Sequence, residues 1–377
     1  MKVILHLTQS CNLRCKYCYA ASGPEKNMSL ATGKKGIDLA IDQAIGSACI
    51  SYFGGEPLLV WDMIKELTPY AQEKGEAKGL SMHYRLSTNG ILFTEEILQF
   101  CKDYNILFAV SMDGNKESHD TGRILPTGQG SFDLLEEKID LMLVYNPYTV
   151  FTFVITPHNA RYLFDSVNYM WDRGLRYVAH SPDFTHPDWD REHFDLLAEQ
   201  YEKVADWYLE KTRSGTYFFM NLFDDKIKTH AKSPAMPGEI CDFGARKVSV
   251  AHDGSIFPCV RFVSNNPDSQ NYQIGHVDTG FTGKREALIS LNAQARPDCE
   301  GCALLGRCAN YCGCTNWNTT GDIIRVSPLL CEYERMLIPI ADRIGNILWE
   351  ERDPSFLAKH YKISAKHFPL QAGYSVD

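Results

Sequence analysis

The 377-residue sequence predicts an α/β protein built on a parallel sheet, followed by a smaller cysteine-rich domain. Three observations carry that expectation. Over residues 1–215, six apolar runs alternate with amphipathic ones, the pattern of repeated β-then-α units. The apolar runs are nearly continuous, as strands buried on both faces are. Beyond about residue 215 the alternation gives way to short polar segments, glycines and cysteines. Domains are expected over 1–215 and 235–335, with a C-terminal helix and tail over 336–377.

The elements follow in order. KVILHL (2–7) predicts a strand, and 29–44 a helix capped by Ser29 or Thr32. CISYF (49–53) is a strand, and 59–74 a helix disturbed at Pro69. MHYRLST (82–88) is a strand, and 94–104 a helix capped by Thr94. ILFAVSM (106–112) and YTVFTFVIT (148–156) are strands flanking a helix at 131–145. The stretch 160–174 is a helix ending at Gly174. LRYVAHS (175–181) is the sixth strand, and a long amphipathic helix covers about 191–213. A barrel and an open doubly wound sheet both fit, and either gathers functional residues at the C-terminal ends of the strands.

The formal net charge of -9, with scattered basic residues, speaks against a nucleic-acid partner. No apolar run reaches membrane-spanning length, and MKVILHLTQSCNL does not read as a signal peptide, so no membrane partner and a cytoplasmic location are expected. Thirteen cysteines in a reducing compartment point to metal or redox chemistry rather than disulfides. Cys49 and Cys101 stand alone in apolar surroundings and read as core packing. Cys11, Cys15 and Cys18 cluster directly after the first strand. The other eight are Cys241, Cys259, Cys299, Cys302, Cys308, Cys312, Cys314 and Cys331.

Three closely spaced thiolates suit an iron–sulfur cubane with one iron left open, or a zinc ion that borrows a distant fourth ligand. Other segments stand at successive strand ends: YFGGEPLL with Gly54, Gly55 and Glu56; STNG with Ser87 and Asn89; SMDG with Ser111 and Asp113; HDTGR with His119, Asp120 and Arg123; then GQGSFD. A glycine pair permits close backbone approach, and a guanidinium suits a carboxylate. Glu56 alternatively fixes its loop, and His119 and Asp120 read as structural hydrogen-bonding groups.

With Tyr17 before the last cysteine, this series resembles the radical S-adenosylmethionine (SAM) superfamily, over about 1–215. The resemblance implies a partial (β/α)6 barrel. It implies a [4Fe–4S] cluster on Cys11, Cys15 and Cys18, with SAM chelating the open iron. The GGEP backbone would receive the SAM amino group, Tyr17 would lie near adenine, and Ser111 and Arg123 would contact the methionine moiety; Ser87, Asn89, Asp113 and Glu56 complete the expected cofactor-binding residues. One electron, from a donor such as flavodoxin or ferredoxin, would cleave SAM to methionine and a 5′-deoxyadenosyl radical.

The cysteines of 235–335 resemble the SPASM extension of peptide-modifying radical SAM enzymes. By position, Cys299, Cys302, Cys308 and Cys331 would hold an outer auxiliary [4Fe–4S] cluster. Cys241, Cys259 and Cys312 would hold an inner [4Fe–4S] or [2Fe–2S] cluster, with Cys314 as fourth ligand or with one iron open. The alternative for this set is structural zinc.

The family implies hydrogen abstraction from a ribosomal precursor peptide and an oxidative crosslink, thioether first, then carbon–carbon or carbon–oxygen. A sulfatase-maturase reading, producing formylglycine, competes; those enzymes keep an aspartate where this chain has Val260. Asp183 and His180, at the end of strand six, are the candidate acid/base residues, the alternative being a capped turn in SPDFTHPDWD. A separate peptide-recognition protein is an expected partner, because the chain begins at strand one. A non-catalytic zinc or electron-transfer protein is the alternative of another class.

Overall fold

The computed structural model describes residues 1–20, 26–232, 241–264 and 266–361. Its elements run β1 (Lys2–Thr8), α1 (Leu30–Asp42), β2 (Ser47–Gly54), α2 (Trp61–Ala77), β3 (Ser81–Thr88), α3 (Glu95–Asp103), β4 (Ile106–Ser111), α4 (Lys116–Gly122), α5 (Phe132–Tyr145) and β5 (Val150–Ile155). Then come α6 (Leu163–Asp172), β6 (Tyr177–Pro182), α7 (Arg191–Arg213), β7 (Phe219–Met220) and α8 (Asn221–Lys232). The rest comprises β8 (Lys247–Val250), β9 (Ser255–Phe257), β10 (Gly275–His276), β11 (Gly280–Phe281), α9 (Lys284–Asn292), α10 (Gly313–Thr320), α11 (Pro328–Glu350) and α12 (Pro354–Tyr361). The expected α/β class on a parallel sheet is what forms.

The chain divides into two compact units, each assembled from separated stretches. The first comprises 1–112, 119–151 and 242–294. Its strands lie in the order β11-β10-β9-β8-β1-β2-β3-β4. β1 pairs parallel with β2 and β8, β2 with β3, and β3 with β4. β8 to β11 pair antiparallel in succession. Val3, Leu5, Leu7, Ile50 and Tyr52 have no exposure. Each such aliphatic side chain contributes about 1.5–3 kcal/mol of transfer free energy. The helices start where capping residues stand: Ser29 Oγ accepts the Thr32 N–H, and Thr94 Oγ1 the Ile97 N–H.

The second unit comprises 113–118, 152–241 and 295–377, described to Tyr361. β6 and β7 pair parallel, and α11 packs on α7 and α8. Tyr201 of α7 and Tyr333 of α11 share a hydrogen bond of 3.0 Å in the buried interface. Lys226 of α8 meets Glu334 of α11 at 2.6 Å, both largely buried. Lys359 of α12 pairs with buried Asp224 at 2.7 Å, which also accepts from Tyr208 Oη and the Met220 N–H.

Three differences from the sequence reading have physical causes. α2 runs unbroken through Pro69, because burial of Ile64, Leu67, Thr68, Ala71 and Gly75 holds it against the loss of one backbone bond. The alternation does not stop at 215: β7 and α8 form one more unit, but a two-residue strand has no period to read. The HDTGR motif lies largely in a short helix, α4, and the 23-residue α11 begins at Pro328 among the cysteines. Its N-cap is Ser327, whose hydroxyl accepts the Leu330 N–H.

Candidate active site

In the first unit, the cysteine loop after β1 is clamped from two sides. On one side, the Gly55 N–H donates to Thr8 O (2.7 Å) and the Glu56 N–H to Ser10 O (2.8 Å). Gly54 has φ +139°, and a Cβ there would sit 2.4 Å from Thr8 O; a Cβ on Gly55 would sit 2.1 Å from Ser10 O. The glycine pair is therefore required by the chain's own backbone at this crossing. On the other side, Arg14 N–H donates to Ile124 O (2.7 Å) and Lys16 N–H to Gly122 O (2.9 Å). A Cβ on Gly122 would lie 2.6 Å from the Tyr17 ring, and the Arg123 guanidinium stands 5.4 Å from that ring's centroid. Tyr17 and Arg123 thus face each other at the cysteine loop.

Glu56 is 1 % exposed and spends both oxygens on its surroundings. Oε1 accepts the Leu58 N–H (3.1 Å) and Thr88 Oγ1 (2.7 Å); Oε2 accepts the Asn89 N–H (2.8 Å). The loop-fixing alternative is what the geometry gives, tying the ends of β2 and β3. Burial pushes this carboxyl up to about 7, against the three donors that pull it down. The folded state then holds the proton more tightly than the unfolded chain. This group's contribution is full below its ordinary value of 4.5 and falls as pH rises to about 7. The loss amounts to about 3 kcal/mol. Glu56→Gln should lower stability, since its amide faces the Asn89 N–H, and should flatten that fall between pH 5 and 8 in denaturant midpoints.

Asn89 Nδ2 donates to Asn12 Oδ1 (2.7 Å) and lies 4.0 Å from Cys11 Sγ. The Leu13 N–H points at the same sulfur at 3.4 Å. Ser87 and Ser111 are half-buried at the ends of β3 and β4, and neither hydroxyl has a protein partner among the described residues. His119 and Asp120 are structural: His119 Nε2 meets Ser131 Oγ at 3.0 Å, and Asp120 Oδ1 accepts the Phe132 N–H at 2.9 Å. Asp113 belongs to the other compact unit and accepts the Val154 N–H at 2.9 Å.

No described cysteine is in a disulfide. Burial holds the Cys11 thiol up at about 11, so a thiolate there needs positive charge beside it, which cluster iron supplies. Soft donors, N–H groups aimed at a sulfur and unsatisfied hydroxyls at adjoining strand ends fit an iron–sulfur cluster and a polar ligand.

In the second unit the far cysteines fall into two sets. Burial raises the Cys331 thiol above its ordinary range, with Cys299 and Cys302 close enough to add to it, and burial pushes Cys308 up to about 11, with Cys299 again nearby. Cys299 and Cys331 share an apolar cluster with Val326 and Leu330, and Asn310 Nδ2 lies 3.3 Å from Cys299 Sγ. Cys312 Sγ lies 3.4 Å from Cys314 Sγ and 3.2 Å from Thr315 Oγ1. Contacts with Cys241, then Cys314, hold the Cys312 thiol well below its ordinary range. Cys241, Cys312 and Cys314 therefore converge. Cys259 belongs to the first unit, where it precedes a short turn over Val260–Phe262. Cys101 is a core residue, as expected; Cys49 is half-buried on β2. The stretch SPAMPGEI (233–240) lies outside the described residues.

At the end of β6, Asp183 Oδ1 accepts the Thr185 N–H (3.0 Å) and Thr185 Oγ1 (2.6 Å), the capped turn. His180 is 4 % exposed, stacked 5.1 Å from Phe153, and neither ring nitrogen has a partner among the described residues. Burial lowers its pKa to about 3, so it stays neutral.

A model of the radical SAM superfamily matches residues 5–170. The chain belongs to the radical SAM superfamily. Among its relatives, a cysteine-type anaerobic sulfatase-maturating enzyme of Clostridium novyi is 25% identical over 290 residues, 72% of this chain and 75% of that protein. The radical SAM cyclopropyl synthase TigE of Paramaledivibacter caminithermalis is 22% identical over 370 residues, 93% of this chain and 76% of that protein. A solved structure, native anSMEcpe with bound AdoMet and the Cp18Cys peptide, has the same fold: TM-score 0.77 at 19% identity, covering 92% of this chain and 99% of that one. As a member of this superfamily, the radical SAM protein described here is an enzyme that uses SAM and an iron–sulfur cluster.

Proposed function

We propose that this radical SAM enzyme closes an oxidative crosslink in a ribosomally made peptide, a thioether first and a carbon–carbon or carbon–oxygen bond next. When bound, the cluster and SAM supply hydrogen-atom abstraction from an unactivated carbon. Cys11, Cys15 and Cys18 would hold that cluster, and Tyr17, Arg123, Ser87 and Ser111 would border SAM. Gly54 and Gly55 keep the cysteine loop and the end of β2 in register, and so position both.

The observation that carries the crosslink reading is the neighbourhood of Cys259. Val260 and Arg261 follow it, and Arg261 lies 5.5 Å over the Tyr19 ring, so no carboxylate follows that cysteine where a maturase has its base. Closing a ring removes two hydrogens from the peptide: one as the abstracted atom, the other as a proton and an electron. The electron needs an acceptor, and auxiliary iron–sulfur clusters on the two far cysteine sets would supply one. Relatedness to sulfatase-maturating enzymes favours a second reading, oxidation of a cysteine or serine to formylglycine.

The test is tandem mass spectrometry of a short cysteine- or aromatic-rich peptide encoded beside the gene, after anaerobic reaction with SAM and reduced flavodoxin or dithionite. The crosslink reading expects a loss of about 2 Da per bond, from two hydrogens, with fragment ions missing between the joined residues. A thioether also consumes one iodoacetamide-reactive thiol per bond. An aldehyde that reacts with a hydrazide probe, at a residue that fragments normally, establishes formylglycine instead. That probe is needed, because serine oxidation also removes two hydrogens.

A further inference from the structure

In the second unit, two loops that follow strands bring His158, His186 and Asp188 together, and these residues belong to none of the cysteine sets. His158 follows β5; His186 and Asp188 follow β6. Their donor atoms, one from each residue, all lie within 4.8 Å of one another. His158 Nε2 is 3.2 Å from Asp188 Oδ2, and His186 Nδ1 is 4.0 Å from the same oxygen. The two imidazole rings meet edge to face, with centroids 4.9 Å apart. Ligands at about 2.0–2.1 Å in a tetrahedral shell stand roughly 3.3 Å from one another. The observed separations bracket that spacing, so small side-chain rotations close the shell.

The supporting loops are already fastened. Buried Asn159 holds the first loop, accepting the Thr156 N–H (2.8 Å) and donating to Val154 O (2.9 Å). The second loop is tied to the first by the Asp183 N–H on Ile155 O (2.8 Å). Trp189 Nε1 donates to Asp183 O (2.7 Å), and Phe184 packs against the apolar cluster around Cys299. The carboxylate of Asp183 completes the turn through Thr185. Backbone and buried side chains thus fix the two loops that carry the three donors, which leaves only side-chain rotation for an ion to bring about. His186 Nδ1 accepts the Asp188 N–H at 3.3 Å, so that nitrogen carries the lone pair an ion needs. Asp188 is exposed, and water can take over its amide.

We propose that His158, His186 and Asp188 form a binding site for a divalent transition-metal ion, zinc foremost. Two imidazoles and one carboxylate match that class of ion, and three protein ligands leave a fourth position for water or a donor atom of a substrate. The ion joins the loops after β5 and β6 at the strand ends where α/β sheets place their ligands.

The experiment uses the full chain with its iron–sulfur clusters reconstituted anaerobically, then exposed to zinc sulfate and desalted. Iron and zinc are counted in the same sample, and the zinc X-ray absorption edge gives the ligand shell. About one zinc should be retained at unchanged iron, with a nitrogen/oxygen shell near 2.0 Å and no sulfur. His158→Ala and Asp188→Asn should each lose that zinc and keep their iron, and the iron count also reports that the variants are folded. No retained zinc, a sulfur shell near 2.3 Å, or undiminished zinc in both variants overturns the proposal.

Discussion

Cys15→Ala should abolish formation of 5′-deoxyadenosine from SAM, with about four iron atoms lost and the rest retained. Cys15 lies in the turn where the Cys18 N–H donates to Cys15 O at 3.1 Å, inside the loop clamped by Gly55, Glu56, Ile124 and Gly122. That clamp is made by backbone, so alanine at 15 leaves the loop in place while removing one of three thiolates. The loss then falls on the cluster and on the iron that SAM would chelate. Anaerobic reconstitution, iron counting and chromatography of 5′-deoxyadenosine measure it together. A variant that cleaves SAM at the parental rate would place the catalytic cluster elsewhere.

Cys312→Ala should separate two activities: SAM cleavage persists while modified peptide falls to a small fraction of the parental yield. Cys312 touches Cys314 and meets Cys241, so it is the hub of its set, and its removal leaves the other two without their shared neighbour. Cys299→Ala should act in the same direction through the other set. It is buried in an apolar cluster with Val326 and Leu330, so a loss of stability accompanies it; ligand energy in such a loop-rich segment is also folding energy. Circular dichroism melts distinguish that loss from the loss of product. Folded variants that give full product would mean that the far cysteines serve the fold and not the turnover. Either result bears on the zinc alternative: iron absent from the parental protein at these cysteines would favour a structural ion.

Much of this protein is written locally. Strand β1 and helix α7 are legible from their periods, and Ser29 and Thr94 from their capping chemistry, because each depends on residues within one or two turns. The three cysteines after β1 are legible because metal-ligand spacing is also local. The hydroxyls of Ser87 and Ser111 stand at the strand ends where parallel-sheet topology puts functional groups, so their placement was legible as soon as the strands were. α4, β7 and α8 were not: a short helix inside a motif and a two-residue strand leave no repeat to detect.

The α/β class, the parallel strands, the cysteine loop and the superfamily can all be read along the chain. How particular side chains are used emerges only in the folded molecule. Gly54 and Gly55 serve the crossing of two backbones, and Glu56 is consumed by three donors of its own chain. Asp183 is spent on Thr185, His180 lies buried and neutral, and Cys314 reaches Cys312. His158 meets Asp188 across thirty residues that carry no common spacing. The physical reason is range. Periodicity, capping and ligand spacing act over a few residues and leave a signature in the chain. Which donor meets which acceptor depends on the closure of long loops onto a packed sheet, and that geometry exists only once the core has formed.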